Sequence, residues 1–178
     1  DNIRTSIYAN LSQGMEMLWV PAYSIGRHSA ASLVHFAFLA TLPWLMVNAA
    51  RRAGHPLAGA AAALIVYASP VFGVTGVSAY NDAAIAAVVF ALFALLQIWE
   101  QQRDNRGLLI LLGLLAGFAY ALKYTAFLAV PFALGFVFWK TRRMRPLLPV
   151  ALAAALLILP WMAKNWLIVD NPVSPLLN

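Results

Sequence analysis

The stretch from Ser69 to Glu100, SPVFGVTGVSAYNDAAIAAVVFALFALLQIWE, decides the fold class. Residues 83–99 carry no charge at all, and a run of that length is just sufficient to cross the hydrocarbon of a bilayer as a helix, which takes about 17–25 residues. Immediately upstream the pattern changes. Pro70 lacks a backbone donor, and Gly73 and Gly76 weaken helix, so regular structure is expected to stop near Ser69. Residues 71–80 then read as a broken or re-entrant segment. Backbone of that kind persists at membrane depth only where protein or a wet cavity satisfies its polar groups, which makes the Tyr80, Asn81, Asp82 cluster at its end the first place to look for chemistry.

Working outward, five more apolar runs of comparable length appear: residues 30–50, 57–79 with the break at Pro70, 107–122, 124–139 with Pro131 inside, and 147–163. The fold class expected is therefore all-α, a polytopic transmembrane helix bundle of about six spans. Composition agrees. Of 178 residues, 63% are hydrophobic and 10% charged, whereas soluble domains are about 45–50% apolar and about 25% charged; a water-soluble globule is excluded. Cysteine is absent, so disulfides and thiolate metal sites are excluded too.

The excess of twelve Lys and Arg over six Asp and Glu, with pI about 10.1, has a topological reading rather than a nucleic-acid one. Six alternating spans put Arg51, Arg52, Arg103, Arg106, Lys140, Arg142, Arg143 and Arg145 on one side with Glu100 and Asp104, and that side holds the whole net charge of +6. Lys and Arg mark cytoplasmic loops. Both termini, residues 70–82 and the Lys123 turn are then extracytoplasmic. Residues 1–29 mix Tyr8, Trp19 and Tyr23 with Arg4, Gln13 and Glu16, as short helices in the membrane interface do. The expected organisation is an interfacial segment over 1–29, the helix bundle over 30–163, and the start of an outer loop over 164–178.

Few polar residues are left to carry function, and each has a structural alternative. Asp82 is either the N-cap of the next span or a carboxylate at an intramembrane break, where substrates and ions bind. Glu16 faces water or a cavity. Lys123, in a very short turn, either snorkels to headgroups or meets an anionic phosphate. Lys164, after Trp161, is an interfacial anchor or a second such cation. His28 and His35 are seven apart, about 10.5 Å of straight helix, too far to share a zinc ion whose ligands lie about 2 Å from it; with His55 they are read as structural or solvated. Gly113 and Gly117 form a GxxxG stripe, a signal for close helix packing. The Lys140 to Arg145 cluster marks orientation.

Three segments taken together, SPVFGVTGVSAYND at Ser69 to Asp82, GLLAGFAYALKYTA at Gly113 to Ala126 and PWMAKNWLIVDNPVSPLL at Pro160 to Leu177, resemble the GT-C membrane glycosyltransferases. The likeness is to bacterial members similar to protein O-mannosyltransferases and to the aminoarabinose transferases of lipid A. The resemblance implies an internal piece of an integral-membrane enzyme in a bacterial inner membrane. Such an enzyme moves a sugar from a polyprenyl-phosphate donor to a glycan, lipid or protein acceptor on the periplasmic or exterior face. It implies catalytic roles for Asp82 and Glu16, substrate binding by Lys123, Lys164, Tyr80 and Asn81, and a first catalytic Asp upstream of Asp1. A divalent metal is a candidate cofactor, with Asp82 as its ligand. A transporter or a non-catalytic membrane scaffold are the competing classes; a transporter predicts an inverted repeat, and none is found.

Overall fold

The computed structural model describes residues 8–78 and 80–174; Asp1, Arg4 and the last proline of the NPVSP motif, Pro175, lie outside the described residues. Among the described residues seven α-helices occur in order: α1 (Gly14–Arg52), α2 (Pro56–Ala68), α3 (Pro70–Val77), α4 (Asp82–Gln101), α5 (Arg106–Leu122), α6 (Ala129–Thr141) and α7 (Leu147–Val169), with 3₁₀ turns at Tyr8–Asn10 and Tyr124–Leu128. Among the described residues there is no strand. Four helical stretches among the described residues are long and apolar enough to cross a membrane: α1, α4, Tyr124–Thr141 and α7. The bent pair α2 and α3 makes a fifth candidate, and α5 is a shorter apolar helix. At about 25 Å, α5 still spans if the bilayer thins or its flanks snorkel. The large apolar side chains that remain exposed, among them Trp44, Leu57, Ile65 and Leu167, suit a chain whose solvent is lipid rather than water.

The chain divides into two compact units. One, the N-proximal unit, comprises Met15–Gln97; the other, the C-proximal unit, joins Asp1–Gly14 to Ile98–Asn178. In the N-proximal unit the long helix α1 is kinked. Gly26 and Arg27 depart from helical geometry, Arg27 with φ 56° and ψ −143°, a conformation that side chains disfavour. Residues 14–25 therefore form one helical arm and 28–52 another. The interfacial segment expected over 1–29 contains, among the described residues, this arm and the 3₁₀ turn at Tyr8–Asn10.

The break at Ser69 falls where the sequence places it, but the segment beyond it is helical rather than irregular. Pro70 sits at the first helical position, where the missing N–H costs nothing, and α3 runs on to Val77, bent 65° from α2. Gly76 is what allows this: a Cβ there would collide with the Leu39 side chain of α1. Thr75 returns its hydroxyl to the Val71 carbonyl at 3.0 Å, as Thr41 does to Ala37 at 2.6 Å, so these polar groups are satisfied within their own helices. Gly59 plays the same part for α2, meeting the Ala50 methyl and the Met46 carbonyl of α1.

The C-proximal unit is built on α5 against α7. A Cβ on Gly113 would fall on the Val150 carbonyl oxygen, and one on Gly117 would lie 2.6 Å from that of Ala154. The GxxxG stripe thus brings two backbones together, as small residues do in membranes. One end of this unit is charged. Lys140 pairs with the Glu100 carboxylate, Arg103 lies 3.5 Å from the same carboxylate, and its guanidinium donates to the Lys140 carbonyl at 3.1 Å. The connector from α4 to α5 and the end of α6 therefore share one end, as alternating spans require.

Candidate active site

Each unit holds its own group of functional candidates. In the N-proximal unit a cavity of about 440 Å³ is lined by Glu16, Trp19, Val20 and Tyr23 from the first arm of α1, by His28, Ala31, Ser32 and His35 from the second arm, and by Ser78. The spacing explains the walls. Residues at i, i+3, i+4 and i+7 share one helical face, and both sets obey it; the kink at Gly26 and Arg27 turns one face towards the other. Aromatic contacts cross the gap: the Trp19 and His35 rings are 4.7 Å apart and tilted 43°, and Tyr23 meets His28 edge-on at 5.1 Å.

The cavity gathers several unsatisfied polar atoms in one place. His35 is 3% exposed, and among the described residues neither of its ring nitrogens has a hydrogen-bond partner; the same holds for Glu16 Oε2 and Trp19 Nε1. Each buried polar atom left without a partner costs about 1–3 kcal/mol, so three such side chains in one cavity call for an explanation. Glu16 therefore lies in a cavity wall, the second of its two sequence readings. The sequence alone reads His35 as structural or solvated. A signal is present in it nonetheless, since an ionisable residue inside a span is a site candidate by default. The kink precedes His28 instead of falling between the two histidines, so their separation along the helix stands. Among the described residues no three His, Asp or Glu side chains gather to hold a metal ion, and the donor set does not make a metal centre.

Tyr80, Asn81 and Asp82 belong to the same unit. Asp82 comes four residues after Ser78, which lines the cavity, a separation of at most about 14 Å of chain. The cap is displaced by one residue from expectation. The Asn81 carbonyl accepts the Ile85 N–H at 2.9 Å, which makes Asn81 the N-cap and Asp82 the first residue of α4. Asp82 is exposed there, and its carboxylate benefits from the positive end of the helix dipole.

Lys123 and Lys164 belong to the C-proximal unit, at the end away from the Glu100 and Lys140 pair. Lys123 terminates α5 and is exposed. Lys164 donates to the carbonyls of Ala9 at 2.8 Å and Leu11 at 3.4 Å, and Ser12 donates to that of Tyr120 at 2.7 Å; through residues 9–12 the two lysines share one end. Buried Asn165, the neighbour of Lys164, ties the same end together by donating to Asn10 O at 2.8 Å and Ser174 O at 2.9 Å. Beside them a largely apolar pocket of about 330 Å³ is lined by Tyr120, Tyr124, Phe127, Ile158, Met162 and others.

Comparison with known proteins fits these features. Residues 22–167 match the family described as dolichyl-phosphate-mannose-protein mannosyltransferase. No curated protein and no solved structure matches the chain. The matched stretch includes His28, His35, Asp82, Lys123 and Lys164 and covers well over half of the sequence. With all-helical, membrane-spanning architecture on one hand and this match on the other, the chain belongs to the dolichyl-phosphate-mannose-protein mannosyltransferase family, membrane glycosyltransferases of the GT-C type.

Proposed function

We propose that this chain is part of an enzyme transferring a sugar from a polyprenyl-phosphate donor to a hydroxyl-bearing acceptor, a glycan, lipid or protein, on the extracytoplasmic face of a bacterial inner membrane. The observation that carries this reading is the polarity of the C-proximal unit. Its acidic and basic pairs cluster at the Glu100 and Lys140 end, while Lys123 and Lys164 stand at the other end of α5 and α7, a helix length of about 25 Å away. The basic connectors favour the cytoplasm, which leaves the two lysines at the outer headgroup level, where a lipid-linked phosphate lies.

The chemistry rests on the residue types. A carboxylate, Asp82 or Glu16, takes the proton of the acceptor hydroxyl. The acceptor oxygen then bonds to the anomeric carbon as the bond from that carbon to the phosphate oxygen breaks. Taken unit by unit, the N-proximal one offers Tyr80 and Asn81 as substrate contacts beside Asp82, and the C-proximal one offers Lys123 and Lys164 as cations for a polyprenyl phosphate and the apolar pocket next to Tyr124 for its hydrocarbon. Asp82→Asn in the full-length protein tests the reading. Loss of a general base costs about a hundredfold or more in transfer, so turnover with a polyprenyl-phosphate sugar should fall by at least that factor while membrane insertion is kept. Undiminished transfer would remove Asp82 from the site.

A further inference from the structure

We infer that the kink cavity of the N-proximal unit is a saccharide-ring subsite, with Trp19 as its platform and Glu16, His35 and the Trp19 indole N–H as its hydroxyl-reading groups. The inference rests on the glycosyl-transfer reading and adds to it the residues that hold the sugar. The cavity's dimensions and lining set the ligand. Its volume, about 440 Å³, lies at the small end of ligand pockets, which run from about 300 to 1,000 Å³. Its walls are aromatic and aliphatic, Trp19, Tyr23, Val20 and Ala31, surfaces for the C–H face of a ring. Its partnerless atoms comprise a carboxylate oxygen that accepts, an indole N–H that donates, and an imidazole that when neutral does one of each.

Other occupants fit this set less well. A phosphate would bring negative charge against Glu16 with no Lys or Arg in the lining. A metal ion would find one carboxylate and two imidazoles separated by two helical turns, and no group of three ligands is formed among the described residues. A purely apolar chain would leave His35, Glu16 and Trp19 as unsatisfied as before. A ring bearing several hydroxyls, each both donor and acceptor, satisfies all three while its apolar face covers the indole. Ordered water would meet the polar atoms but not the aromatic walls, and is one outcome of the test.

The test uses the full-length protein in lipid nanodiscs and three photoreactive probes: a polyprenyl-phosphate sugar with a diazirine on the sugar ring, the same polyprenyl phosphate with a diazirine but no sugar, and a diazirine-bearing saccharide acceptor. Labelling of residues 16–35 by either sugar-bearing probe, and not by the sugar-free lipid, is the expected result; which of the two labels tells whether the ring belongs to donor or acceptor. In steady-state assays His35→Leu and Trp19→Phe should each raise KM for the labelling substrate about tenfold, equivalent to about 1.4 kcal/mol, with a smaller change in kcat, and His35→Gln should restore part of it. The inference fails if the sugar-free lipid labels residues 16–35 as strongly, or if neither sugar probe labels them while the protein turns over, as a water-filled cavity would give. Trp19→Phe keeps an aromatic ring at the site, so it reports even if His35→Leu does not fold. Absence of turnover by the unsubstituted protein with a polyprenyl-phosphate sugar would instead strike the transfer reading, whereas retained turnover in Asp82→Asn would remove only Asp82 from the site and leave this labelling result unchanged.

Discussion

The two units differ in how their buried polar groups are grouped: the C-proximal unit leaves Asn10 Oδ1, Trp99 Nε1 and Asn165 Oδ1 without a partner among the described residues, yet both asparagines there are bonded through another atom. In the C-proximal unit the Asn165 amide nitrogen, the Ser12 hydroxyl and the Lys164 ammonium each reach a backbone carbonyl across more than a hundred residues of chain. These bonds hold residues 9–12 and the start of the last loop on α5 and α7. In the N-proximal unit, among the described residues, His35 bonds through neither ring nitrogen, and Glu16 and Trp19 leave an atom each without a partner around an open cavity. A buried polar group that is bonded organises the fold, whereas one that is not imposes a cost which a ligand can relieve. What sets the N-proximal group apart is that Glu16, Trp19 and His35 leave their unbonded atoms around one cavity.

That contrast can be broken at graded cost. The largest effect on stability is expected from Gly113→Val, because its side chain would meet the Val150 backbone carbonyl, which cannot move aside as a flexible side chain does. Overpacking costs about 1–3 kcal/mol, and the upper end applies here; a lower Tm in detergent should show it. Asn165→Ala removes two bonds to carbonyls that then stay buried, and about 2 kcal/mol is expected from that, with faster hydrogen exchange in residues 8–12. If exchange there is unchanged, Asn165 does not anchor that segment. Lys140→Ala should matter least. Its pair with Glu100 is about one-quarter to one-third exposed, and such partly solvated pairs contribute at most about 1 kcal/mol, so a Tm shift near the detection limit is expected.

Much of this is legible in the sequence, for identifiable reasons. Long apolar runs need no tertiary information, and the six runs correspond to α1, the α2 and α3 pair, α4, α5, the Tyr124–Thr141 stretch and α7. The packing role of Gly113 and Gly117 is readable because a four-residue spacing always lies on one face. The segment after Ser69 defeats local rules, which count Pro70 and two glycines against helix. Placed at the first helical position, Pro70 is harmless, and the Gly76 contact with Leu39 is tertiary. Asp82 misses the cap position by one residue because Asn81, equally fit for it, precedes it. The cavity is hidden for a different reason. It exists only because a kink at Gly26 and Arg27 turns two regular faces of one helix together. Likewise, the bond from Lys164 to Ala9 joins residues 155 apart, a distance no local pattern reaches.

The central claim turns on which side of the membrane the lysine end of the C-proximal unit faces. The chain contains no cysteine, so Lys123→Cys and Arg143→Cys, each introduced with any cysteine elsewhere in the full-length protein replaced, can be treated in intact cells with a membrane-impermeant maleimide. Labelling at position 123 from outside, and at position 143 only after the membrane is opened, is the result expected. Labelling of both from the same side would contradict the proposed orientation and, with it, the outer-face site.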